Sequence, residues 1–141
     1  MVIEDTMLIN ATLEKVWDIF TDLTCWKDWS TTLTNVTYDK KRLTKGESFA
    51  FCLRPFNIPL RMKPVVKEIL PREHVIWSGS KYGISARHEF IFKSHDGKVL
   101  LTSRETFAGV LVQPLVFFFP ARKMRKLTIS MLQELKAAAE S

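Results

Sequence analysis

A histidine and a glutamate, His88 and Glu105, are the side chains of this sequence whose types and spacing best permit chemistry. Both fall in runs that alternate as strands do, Ile84 to Ser94 and Lys98 to Ala108, on either side of Asp96-Gly97. That dipeptide is a strong two-residue hairpin signal, because a type I′ turn needs positive φ at both central positions. With that turn His88 faces Glu105, Phe90 faces Ser103 and Phe92 faces Leu101, while Glu89 faces Arg104 on the other side. Alternation then puts Ile84, Ala86, His88, Phe90 and Phe92 on one face with Val99, Leu101, Ser103, Glu105 and Phe107. A three-residue loop with a glycine bulge is the competing register, and it sets His88 opposite Arg104.

An imidazole and a carboxylate on an apolar inward face must find partners, since an unpaired buried charge is strongly unfavourable. Three readings follow. The pair is the polar anchor of a ligand pocket, a structural hydrogen bond between strands, or a general acid/base pair in which Glu105 raises the pKa of His88. Serine nucleophile elbows, phosphate-cradling glycine loops, HExxH and dinucleotide fingerprints are missing. His74 and His95 fall at expected turns and read as solvated. Cys25 and Cys52 lie 27 residues apart without metal-ligand spacing, and read as free buried thiols in a reducing cytosol. No metal and no cofactor is expected. The acidic start Met-Val-Ile-Glu-Asp lacks a secretory n-region and h-region, so the expected location is cytoplasmic.

The elements that must position the pair can be read from periodicity. Val2 to Asn10 reads as a strand. Asn10 or Thr12 caps a helix with Leu13, Val16, Trp17, Phe20 and Leu23 at helical spacing, and a short helical turn follows over Cys25 to Trp29. Strands are expected over Asn35 to Lys40, Glu47 to Arg54, Leu60 to Leu70, His74 to Ser80, Ile84 to Ser94 and Lys98 to Ala108. Their short connections imply an antiparallel meander. A last helix spans Ala121 to Ala139, with Met124, Leu127, Thr128, Met131, Leu135 and Ala138 as its apolar stripe. The expected fold class is α+β: a seven-stranded antiparallel sheet curved around a long C-terminal helix, with a short helix pair after the first strand.

At 141 residues, with 46% hydrophobic and 26% charged residues, the sequence is expected to form a single domain over 1–141 with one core. Its departure from average composition is aromatic: 10 Phe and 4 Trp. Many of these fall on the inward face with His88 and Glu105, and so read as the lining of a pocket. The net charge of +6 gathers at Lys40 to Lys45, Arg61 to Lys67 and Arg122 to Lys126 and favours anionic partners in general.

Val16-Trp17-Asp18-Ile19-Phe20-Thr21-Asp22 with Trp26, Trp29 and Gly46, then Arg87-His88-Glu89-Phe90 and Glu105-Thr106-Phe107-Ala108-Gly109, resembles the START-like (SRPBCC) superfamily, the polyketide cyclase/dehydrase and lipid transport group. The resemblance covers nearly the whole chain. It implies the helix-grip fold, with a cavity for lipids, sterols, polyketides or other apolar molecules. Relatives often carry a second histidine where this chain has Ser103, and a proline where it has Ser30-Thr31-Thr32.

The expected function is therefore binding, transport or sensing of a small apolar ligand without covalent chemistry. His88 and Glu105 form the polar end of its cavity, and Phe49, Phe51, Trp77, Phe90, Phe92, Met131 and Leu135 line it. The alternative is a polyketide cyclase or dehydratase using His88 and Glu105 as its acid-base pair. Val110 to Pro120 would be the entrance. Together with the cations up to Lys126, Val110–Lys126 also offers a transient contact for anionic membranes, although packing under the sheet is the favoured reading. Nucleic acid is not an expected partner, because no recognised motif is present and an inward aromatic face cannot stack bases.

Overall fold

The computed structural model describes residues 1–54, 59–109 and 121–141. Strand β1 (Val2–Ile9) leads into helix α1 (Leu13–Thr21), a 3-10 turn (Leu23–Cys25) and the short helix α2 (Trp26–Trp29). Seven further strands follow: β2 (Thr34–Tyr38), β3 (Phe49–Leu53), β4 (Leu60–Met62), β5 (Val65–Leu70), β6 (His74–Lys81), β7 (Ile84–His95) and β8 (Lys98–Ala108). Helix α3 (Ala121–Glu140) closes the chain. Thr12 is the cap that α1 uses, its hydroxyl accepting from the Lys15 N–H at 3.2 Å.

All strand pairs are antiparallel, in the orders β1-β8-β7-β6-β5 and β2-β3-β4. Eight strands stand where seven are expected, because Leu60 to Leu70 is broken into β4 and β5. Pro64 is the reason. The Phe49 N–H donates to the Pro64 carbonyl at 3.2 Å, but Pro64 has no N–H to return the bond. The register nevertheless runs on through the break, from Phe51 opposite Met62 to the bridge between Ser48 and Val65. The two sheets are thus joined along β3 into one curved surface.

The β7–β8 hairpin has the two-residue turn, with φ of 50° at Asp96 and 76° at Gly97, and His88 lies opposite Glu105. The bulged register is thereby excluded. Tyr82 and Gly83 make the matching turn between β6 and β7. Helix α3 lies across the concave side, tied to the first strand along its length. Arg125 meets Asp5 at 2.8 Å, Lys136 donates to the Leu8 carbonyl, and Glu140 accepts from the Asn10 N–H at 2.7 Å. Glu134 clasps the Ser30-Thr31-Thr32 run, accepting from the Thr31 N–H and from the hydroxyls of Thr31 and Thr32.

The core holds most of the aromatic residues. Phe20 touches Trp26, Trp77, Phe90 and Phe92, with its ring centroid 4.7 Å from that of Phe90, and Trp17 meets Phe92 edge-on at 5.0 Å. Each such pair is worth ~0.5–1.5 kcal/mol beyond its burial. The aromatic load therefore belongs chiefly to a packed core under α1 and α2, which corrects the view of it as a pocket lining. A smaller cluster of Ile3, Phe107 and Met124 sits apart. The stripe of α3 is also rotated slightly: Leu132 and Ala139 are buried, whereas Leu127 and Ala138 are half-buried. Both thiols are unpaired and half-buried. No helix among the described residues is long and apolar enough to cross a membrane. The expected entrance, Val110 to Pro120, lies outside the described residues.

Candidate functional site

A cavity of about 540 Å³ lies where the two core clusters part. The amino-terminal half of α3 roofs it with Met124, Leu127, Thr128 and Met131. Phe51, Leu53, Leu60 and Met62 form one wall, and Trp77, Ile84, Ala86 and Phe107 the other. Buried His88 and Thr128 and half-buried Glu105 provide its inner polar groups. Arg61, Lys63, Ser80, Lys81 and Tyr82 stand where it meets the surface.

Of the residues expected to line a pocket, Phe51, Trp77, Met131, His88 and Glu105 border this one. Phe49, Phe90, Phe92 and Leu135 do not. They are packed against α1, α2 and one another in the main core, because the aromatic side chains of the first helices occupy that half of the concave face. Inward alternation places a side chain under the sheet. It does not say whether another element already fills the space there.

His88 is held on three sides. Its ring stacks on Phe90 at 4.0 Å, the edge of Trp77 lies 5.6 Å away, and Nε2 is 2.6 Å from the hydroxyl of fully buried Ser103. Ser103 sits diagonally across β8, within reach of the imidazole. The other ring nitrogen, Nδ1, is 3.7 Å from Glu105 Oε2, too far for a hydrogen bond. That separation is not an ion pair either, because burial acts on both groups. It pulls His88 down to about 3 and pushes Glu105 up to about 7, the latter opposed by the Thr128 hydroxyl. The expectation that the carboxylate raises the histidine pKa is thus reversed. At neutral pH the imidazole is uncharged, and the carboxyl holds its proton well above the usual carboxylate range.

This arrangement offers an apolar volume with a neutral hydrogen-bonding end. The carboxyl in its acid form donates, and Nδ1 and the carboxyl oxygens lie close enough for one ligand oxygen to meet both. Sequence reasoning put Ser103 on the inward face but read it only as a missing histidine. Thr128 was read as part of the helix stripe, and its place beside Glu105 depends on the axial position of α3, which no local pattern encodes. Among the described residues, no group of three or more metal-ligating side chains occurs.

A family model described as polyketide cyclase / dehydrase and lipid transport matches residues 1–140. A comparison with the curated proteins finds no match. Among solved structures, a hypothetical protein from Helicobacter pylori aligns with a TM-score of 0.81 and 18% identity, over 99% of this chain and 88% of that one. A START superfamily protein from Mycobacterium smegmatis aligns at 0.70 and 12% identity, over 99% and 94%. The di-domain ARO/CYC protein BexL of the BE-7585A biosynthetic pathway aligns at 0.80 and 13% identity, covering all of this chain and 50% of that one. At these identities the likeness is one of fold.

Proposed function

Because the chain belongs to the polyketide cyclase/dehydrase and lipid transport family, we propose that it binds a small hydrophobic molecule between α3 and the sheet, to carry or sense it without covalent chemistry. The observation that supports this most is the cavity, whose 540 Å³ falls in the range of small-molecule sites. Its walls are apolar and its inner polar pair is neutral. In this reading His88 and Glu105 orient one oxygen of the ligand, while Phe51, Trp77 and Met131 meet its hydrocarbon part. Burial of each methylene contributes ~0.8 kcal/mol, so affinity rises roughly fourfold per carbon along a homologous series until the cavity is full. Titration with the neutral fluorescent probe N-phenyl-1-naphthylamine, displaced by straight-chain alcohols, tests this. Saturable binding lost in Ala86→Phe, with the circular dichroism spectrum retained, is the expected result. Probe affinity unchanged in that variant would contradict it.

A second reading is supported by one observation. A carboxyl near pKa 7 beside a cavity is what proton transfer at neutral pH requires. In a cyclase- or dehydratase-type reaction Glu105 is then the acid and base, giving its proton to a carbonyl oxygen of a bound polyketide and taking one from the adjacent carbon. His88, uncharged at neutral pH, lies beside the carboxyl at 3.7 Å. Glu105→Gln is expected to abolish turnover of a polyketide-like ketone while leaving its affinity within roughly threefold; equal loss of both favours the anchor role.

A further inference from the structure

The cavity has a charged rim as well as a neutral floor. Arg61, Lys63 and Lys81 all border it, on β4, in the β4–β5 break and at the end of β6. Arg61 borders it through its backbone, the carbonyl accepting from Lys81 across the opening, while its guanidinium donates to the Thr37 hydroxyl at 2.9 Å on the outer face of the sheet. Among the described residues none of the three pairs with a carboxylate, whereas Arg87, Arg104, Arg125 and Lys136 each do. The lining contains one acidic side chain, Glu105. It lies on β8 opposite His88, and His88 pairs with Trp77, four residues along β6 from Lys81. Four residues of strand separate rim from floor by ~13 Å.

Resting on the reading of the cavity as a ligand site, we propose that its ligand is an anionic amphiphile held with its acidic head, carboxylate or phosphate, at Lys63 and Lys81, and its hydrocarbon chain inside. The reverse orientation is disfavoured twice. A second anion beside Glu105 would be buried next to a group that ionises near neutrality, and an apolar chain would be left among exposed cations. Two cations without acidic partners at a low-dielectric opening also concentrate a field there that draws in an anion.

The test is displacement of N-phenyl-1-naphthylamine at pH 8 by four probes of equal chain length: dodecanoate, dodecyl phosphate, methyl dodecanoate and dodecyltrimethylammonium. The anions are expected to bind at least roughly fivefold more tightly than the ester, and the cation most weakly. In Lys63→Gln/Lys81→Gln the advantage of the anions falls to twofold or less while the ester is unaffected. Removing the same charge elsewhere, in Lys27→Gln/Lys93→Gln on α2 and the outer side of β7, leaves the advantage intact. The tighter of the two anions identifies the head as carboxylate or phosphate. Equal binding of all four probes, or an advantage that survives in Lys63→Gln/Lys81→Gln, overturns this inference and leaves the ligand site standing. Failure of every probe to displace the dye, or of the dye to bind, overturns both.

Discussion

Ser103 and Glu105 stand two residues apart on one face of β8, each beside a different ring nitrogen of buried His88. The serine supplies a short hydrogen bond to one ring nitrogen, and the glutamate stops 3.7 Å from the other. Truncating Ser103→Ala leaves a buried imidazole nitrogen without a partner, and urea unfolding is expected to register a loss of ~1–3 kcal/mol. Glu105 has a signed pH dependence. Its pKa is raised from 4.5 to about 7 on folding, so the folded state binds the proton more tightly and stability falls as pH rises from 4.5 through 7. His88, lowered from 6.5 to about 3, acts oppositely: the unfolded chain takes up the proton, and stability falls as pH drops below 6.5. Glu105→Gln removes the first effect alone. This variant should match the wild type near pH 4.5 and exceed it at pH 8 by roughly 3 kcal/mol in urea unfolding. Equal offsets at the two pH values would show that the carboxyl ionises freely in the fold.

Gly109 shows how an element's end is fixed by its neighbour. With φ of +120°, it lies so close to the β6–β7 turn that a Cβ would sit 2.4 Å from the Gly83 carbonyl oxygen. Gly46, at φ +87°, has open space around its missing side chain. Gly109→Ala is therefore expected to lower the thermal midpoint strongly, and Gly46→Ala to cost only the ~1 kcal/mol of the left-handed backbone. Helix α3 divides likewise. Leu135, fully buried in the core, should cost ~2–5 kcal/mol as alanine and leave probe affinity unchanged, whereas Leu127→Ala at the cavity roof should do the reverse. Much of this scale was legible in the sequence. Asp96-Gly97 set the register that brings His88 to Glu105, because such residues turn a strand pair in two positions, whereas Leu60 to Leu70 reads as one strand and misses the break at Pro64. What was not legible is which inward side chains meet space. Phe90 and Phe51 both point inward, but α1 and α2 cover one and leave the other at the cavity, and that follows from tertiary packing rather than alternation.

Across the whole molecule, the sheet, α3 and the aromatic core form one arrangement with unequal ends. The end under α1 and α2 is filled with rings, and the end under the start of α3 is left as a cavity with a neutral floor and a cationic rim. Arg87 and Arg104, on the outer face of the β7–β8 hairpin, pair with Glu89 and Glu4, whereas the lysines at the rim have no acidic partner among the described residues. The resemblance to START-like proteins was carried by short motifs around α1, His88 and Glu105, and these are the segments that build the core and the polar floor. The cationic rim was not, because Lys63 and Lys81 come together only when the β4–β5 break and the end of β6 face one another across the opening. A molecule bound in the cavity is the common premise of these predictions. Native mass spectrometry of the protein purified from its own host tests that most directly. The predicted result is a mass excess of one small apolar molecule per chain, released on denaturation and missing from Ala86→Phe. The bare polypeptide mass in every preparation, with no saturable uptake of an apolar probe, would contradict it.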